Sequence, residues 1–243
     1  MFSKVMIAFA LVAVILLQLV SAGPIGKSSD SPKVCNSILT TKPLDTRGLS
    51  KPGISYSPYT GVPGNTRCKT PEEVGNDIAR LQSYGMVRLY GLDCDQVKNV
   101  LPHTRKYGMQ LMVGIYEVDK LDQQCNMLAD IVKGNWNGIH TVTIGNEFVL
   151  AGKKSPQQIV DLTRDARAKL RAKGFNGSVV AVNVFYEVLQ NPLLCQEQDY
   201  IAVNCHPFFD GKVLPENAGA FVAEMRRQVT EKCGGKYVLI TGK

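Results

Sequence analysis

A barrel of parallel β-strands wrapped in α-helices is the fold this 243-residue sequence predicts. Three observations lead there. From Gly53 onward, short β-prone apolar runs alternate with longer stretches of helical periodicity, the rhythm that builds parallel sheets. Several short runs are apolar at consecutive positions, as in Leu111-Met112-Val113 and Val179-Val180-Ala181-Val182, which marks strands buried on both faces. No G-x-G-x-x-G or Walker-type loop follows a strand, which disfavours a nucleotide-binding open sheet. The expected class is therefore α/β, a (β/α)8 TIM barrel.

The elements follow in order. Strands are expected at Gly53–Ser57, Met86–Tyr90, Met109–Ile115, His140–Ile144, Ser178–Asn183, Tyr200–Asn204 and Lys236–Thr241. Thr70-Pro71-Glu72-Glu73 reads as a capping box with proline in the first helical position. Val74, Ile78 and Leu81 then share a face, and Gly85 is the expected stop. Ser155-Pro156-Gln157-Gln158 repeats the device, with Ile159, Leu162, Ala166 and Leu170 inward and Gly174 ending the helix. Ala218, Phe221, Val222, Met225 and Val229 form a third such face. Six βα units and a seventh strand result, so the barrel is expected to be C-terminally truncated after strand 7. Seven strands leave the first and last with unpaired edges.

Before the barrel lie two further regions. Residues 1–22 read as a secretory signal peptide: Lys4, an apolar run from Val5 to Val20, then small residues before Gly23. The run is short for a membrane span, so a soluble, secreted, extracellular protein is expected, with no membrane association after signal cleavage. Residues 23–52, rich in Gly, Pro, Ser, Thr and Lys, read as a disordered linker. The barrel proper is 53–243. Asn176-Gly177-Ser178 is either an N-glycosylation sequon or a plain turn between helix and strand.

Charge excludes some functions. The chain has 28 Lys and Arg against 21 Asp and Glu, a net +7. Residues 53–243 hold 22 against 19, only +3, and the other +4 lies in residues 1–52, so no nucleic-acid partner is expected. Seven cysteines include no C-x-x-C pair, and the three histidines have no ligand spacing, so neither metal nor cofactor is expected. Secretion permits disulfides; the odd count leaves a thiol over, and the connectivity is open. Cys205 is expected to be a buried small hydrophobe, and Cys35 suits an intermolecular disulfide to another protein.

In such barrels chemistry sits where strands end. The residues following the strands include Tyr56, Tyr59, Arg88, Tyr90, Asp93, Tyr116, Glu117, Asn146, Glu147, Tyr186, Glu187, Asn204, His206, Phe208 and Asp210. Aromatic faces stack on sugar rings, and amides and acids bind hydroxyls. Glu147 is the sharpest position: Thr141-Val142-Thr143-Ile144-Gly145-Asn146-Glu147 ends a buried strand with an amide and an acid side by side. A partly desolvated carboxylic acid there can protonate a leaving oxygen.

These residues resemble a known family. Ile144-Gly145-Asn146-Glu147, Arg88-Leu89-Tyr90-Gly91 with Asp93-Cys94, and Asn204-Cys205-His206-Pro207-Phe208-Phe209-Asp210-Gly211 are similar to motifs of glycoside hydrolase family 17. The nearest group is the fungal, secreted, cell-wall β-1,3-glucanases, glucanosyltransferases and soluble cell-wall mannoproteins. The resemblance runs from Gly53 to Thr241. It implies a retaining β-1,3-glucan hydrolase or transglycosylase of the cell wall, with β-1,3-glucan as its partner and other wall proteins as the expected partners of Cys35. It implies Glu147 as general acid/base, Asn146 as the ligand of the sugar 2-hydroxyl, and Tyr56, Tyr90, His206 and Phe208 along the glucan cleft. Retention needs a second carboxylate about 5–5.5 Å away, which the family places directly after strand 7. Here that place holds Gly242, followed by Lys243. The sequence therefore leaves a second expectation, a non-catalytic glucan-binding remnant or a gene-model fragment. Gly-Lys-stop is what reading through an intron donor inside a glutamate codon would produce.

Overall fold

The computed structural model describes residues 51–242. The expected signal, Cys35 and all but the last two residues of the expected linker lie outside them. Seven strands form one parallel sheet: β1 (Gly53–Ser55), β4 (Met86–Arg88), β5 (Gln110–Ile115), β6 (Ile139–Ile144), β7 (Ser178–Val184), β8 (Ile201–Asn204) and β9 (Val238–Gly242), in that spatial order. Sequence order equals spatial order, as each crossover returns beside its own strand. No ladder joins β9 to β1 among the described residues. This is a nearly closed barrel, and among the described residues its first and last strands each pair on one side only.

Six helices supply the crossovers: α1 (Pro71–Arg80), α2 (Gln96–Lys106), α3 (Leu121–Val132), α4 (Pro156–Ala172), α5 (Phe185–Gln190) and α6 (Ala218–Lys232). Both predicted capping boxes form. Thr70 and Ser155 accept from the backbone N–H of Glu73 and Gln158, whose side chains reach back to the cap amides. The expected stop of α1 is too late: the helix ends at Arg80, and a turn carries the chain to Gly85. The apolar face read for α6 exists, but only Val229 is fully buried. Phe221 packs edge-on against Phe185 of α5, with ring centroids 5.7 Å apart.

Strand periodicity of two divides the interior into two packed regions. Val87, Leu111, Val113, Val142, Val179, Ile201, Val203 and Val238 face outward and meet the helices in the main core. Met86, Met112, Val180, Val182, Tyr200 and Ala202 point inward and fill the barrel. The Tyr200 hydroxyl and Thr141 Oγ1 hydrogen-bond within it at 2.9 Å. Continuing that alternation brings Arg88, Asn204 and Thr241 inward at the carboxyl ends of β4, β8 and β9.

A hairpin that the sequence reading missed, β2 (Tyr59–Val62) and β3 (Asn65–Cys68), lies between β1 and α1. Pro63-Gly64 is its signal, with Gly61 and Gly64 in left-handed backbone. Among the described residues two disulfides form, Cys68–Cys94 and Cys195–Cys233. Cys125 and Cys205 are free and buried, as expected for Cys205.

Candidate active site

The inward residues at the carboxyl rim form one hydrogen-bonded cluster. At its centre is Arg88, 4% exposed. Its guanidinium donates to Asn146 Oδ1 (2.8 Å), to the Thr241 carbonyl (2.7 Å) and, at 3.4 Å, to Asn204 Oδ1. It also lies 4.3 Å from the Tyr90 ring centroid and 3.3 Å from the Tyr90 hydroxyl. Burial presses its pKa down, while Tyr90 and Glu147 pull the other way. Arginine starts so high that it keeps its charge.

Asn204 is the second hub. Its Nδ2 donates to Glu147 Oε1 at 2.6 Å and to Asn146 Oδ1 at 3.2 Å. Its Oδ1 accepts from Thr241 Oγ1 at 2.8 Å. Glu147 is thus held by an amide from the neighbouring side of the rim, while its backbone N–H donates to the Val182 carbonyl. The backbone explains how a strand-end residue turns inward. Gly145 and Glu147 both have positive φ, 67° and 57°. A glutamate there is strained by about 1–3 kcal/mol, a cost that concentrates at functional sites. Asn146 Oδ1 is fully used by Arg88 and Asn204. Its Nδ2 makes no hydrogen bond among the described residues and is the donor left for a hydroxyl.

The other predicted site residues are placed unequally. Tyr90 joins the cluster through Arg88 and Ser55 Oγ, 3.4 Å from its hydroxyl. His206 stands beside it: a Cβ on Gly242 would lie 3.2 Å from His206 Cε1 and 3.0 Å from Asn204 Oδ1. Position 242 therefore faces the group that holds Glu147. Phe208 is 86% exposed and stacks edge-on with Phe209, which meets the His206 ring. Tyr56 is elsewhere. It is buried in the outer core, and its hydroxyl donates to Asp77 of α1 at 2.8 Å, so it points into the helix layer. Burial and then Asp77 push its pKa up.

Arg88, Asn204 and Thr241 are the structural heart of the cluster, and none of them was among the residues that the resemblance assigned a role. An arginine inside the strand run Met86-Val87-Arg88 was the signal available. Tyr186 also lies within electrostatic reach: burial, then Glu187 and Glu147, raise its pKa. No second carboxylate enters the cluster among the described residues. Nor, among them, do three His, Cys, Asp or Glu side chains gather as a metal-binding group.

Known proteins resemble this chain closely. "Cell surface mannoprotein MP65" of Candida albicans is 43% identical over 192 residues, 78% of this chain and 50% of its own length. "Probable family 17 glucosidase SCW10" of Saccharomyces cerevisiae is 39% identical, covering 78% of this chain and 48% of its own. The chain thus spans about half the length of the curated relatives it matches. Among solved structures, an active-site mutant of Rhizomucor miehei β-1,3-glucanosyltransferase in complex with laminaritriose superposes with a TM-score of 0.66. Its identity is 26%, and the match covers 78% of this chain and 70% of that one. The family described as the BtgE/BtgC glycoside hydrolase domain matches residues 53–242. With that match spanning the whole barrel and family 17 proteins among its relatives, the chain belongs to the BtgE/BtgC glycoside hydrolase domain family.

Proposed function

We propose that this domain serves a retaining β-1,3-glucan hydrolase or transglycosylase of the fungal cell wall, secreted and wall-associated. The observation that carries the reading is Glu147, a strained acid at the barrel rim gripped by the Asn204 amide at 2.6 Å. Its free oxygen is the one to protonate a glycosidic oxygen. Asn146 Nδ2 is free to take the 2-hydroxyl, while Tyr90 and Phe208 offer exposed faces to sugar rings. After the first bond breaks, the same Glu147 accepts a proton from water or from an acceptor sugar hydroxyl, giving hydrolysis or transfer.

The attacking carboxylate belongs at position 242, where the glycine faces Asn204 and His206. That glycine favours a second reading of this chain as it stands, glucan binding without turnover. One experiment separates the two. The unaltered chain, Gly242→Glu and Gly242→Glu/Glu147→Gln are compared for retention on insoluble β-1,3-glucan and for reducing-sugar release from laminarin. Binding by all three, with release only by Gly242→Glu and a loss of about 10²–10⁴ on adding Glu147→Gln, supports the enzymatic reading. Turnover by the unaltered chain would remove position 242 from the mechanism. Failure of all three to bind β-1,3-glucan would sink the substrate assignment.

A further inference from the structure

The loop from α4 into β7 carries the chain's one Asn-X-Ser/Thr triplet, Asn176-Gly177-Ser178. The fold uses its members differently. Gly177 is required sterically: a Cβ would come within 2.4 Å of Phe175 Cζ and 2.7 Å of the His140 carbonyl oxygen. Phe175 is itself buried against Trp136, with ring centroids 5.0 Å apart. Ser178 begins β7 and pairs in register with Thr141. Asn176 has no such employment. It is exposed, and its side-chain amide makes no hydrogen bond among the described residues. Nor is its φ left-handed, the conformation for which asparagine is often selected.

An exposed asparagine amide in this triplet, with no proline in the middle, is an acceptor for an N-linked glycan when the chain enters the secretory route. We propose that Asn176 is an N-glycosylation site, modified from a lipid-diphosphate-linked oligosaccharide. The amide nitrogen forms a bond to C1 of the reducing-end sugar. The C1–O bond to the diphosphate breaks, the diphosphate leaves with the electron pair, and the amide loses one proton. In a parallel sheet the start of β7 lies at the opposite end of the barrel from the carboxyl ends that carry Glu147 and Asn204. A glycan there leaves the rim open to polysaccharide. The inference rests on the secreted reading above and is independent of the enzymatic one.

The test expresses the full chain, with its own N-terminal segment, in a yeast secretory host, alongside Asn176→Gln and Ser178→Thr. The unaltered chain and Ser178→Thr are expected to run heavier until treated with peptide N-glycosidase, which converts residue 176 to aspartate in the mass spectrum. Asn176→Gln is expected to run at the treated size and to bind insoluble β-1,3-glucan within about two-fold of the unaltered chain. Secreted protein with an unmodified Asn176 overturns the proposal, as does a chain that never enters the secretory lumen. A glycosylated chain that ignores β-1,3-glucan leaves the proposal standing and removes the substrate reading instead.

Discussion

Glu147 owes its position to two neighbours that do different work: Gly145, which lets the backbone turn, and Asn204, which fixes the carboxylate. Removing the second separates them. Asn204→Ala deletes the donor to Glu147 and Asn146 and the acceptor for Thr241. Its expected cost is about 1–3 kcal/mol in denaturant unfolding, since buried partners lose their bonds. In the Gly242→Glu background it should lower kcat more than it raises KM, because the acid is misplaced rather than the glucan unbound. Glu147 itself was legible, because an acid directly after a buried strand is conspicuous. The Tyr56 placement was not, because sequence puts a residue at a strand end without saying whether it faces rim or helix. Here the Asp77 carboxylate on α1 decides it.

Among the elements, α1 shows how local signals become stability. Its capping box is joined by Arg67, whose guanidinium binds Glu73 through two nitrogens at 2.6 and 2.7 Å. Arg67 and the Thr70 amide hold the Glu73 carboxyl down at about 2, against 4.5 ordinarily. The folded value is the lower one, so the clamp's stability is full above about pH 4.5 and is lost as pH falls through 2. Glu73→Gln should therefore flatten the acid limb of a Tm-against-pH curve and leave its alkaline side in place. Gly114 is the steric counterpart in β5. A Cβ there would fall 2.4 Å from the Tyr90 carbonyl oxygen, so Gly114→Ala is expected to unfold the barrel or cost several kcal/mol in urea titration. Helices and barrel strands were readable because period and caps are local. The β2–β3 hairpin escaped because its strands are four residues each and exposed or half-exposed, with no apolar alternation to announce them.

At the scale of the whole barrel, two disulfides and two open strand edges act in opposite directions. Cys68–Cys94 and Cys195–Cys233 close separations of 26 and 38 residues. Each is worth about 2–4 kcal/mol, so reduction should lower the melting temperature in calorimetry. Burial pushes the thiols of Cys125 and Cys205 up to about 11. A thiol reagent at neutral pH should leave both unlabelled until the protein is unfolded. Among the described residues β1 and β9 each pair on one side only; an unpaired edge is a template for further pairing, and light scattering of this chain is expected to show association that grows with concentration.

The Arg88 guanidinium has a consequence for that balance. It sits on the second strand of the sheet and bonds the Thr241 carbonyl on the seventh, so it is a chord drawn across an arc that the backbone leaves open. The side chain that bonds both amides beside Glu147 thus also ties the second strand to the seventh. Replacing it slackens the curve and bares the two ends together. Substitution of Arg88 is therefore expected to lower stability as well as to disturb the amides around Glu147.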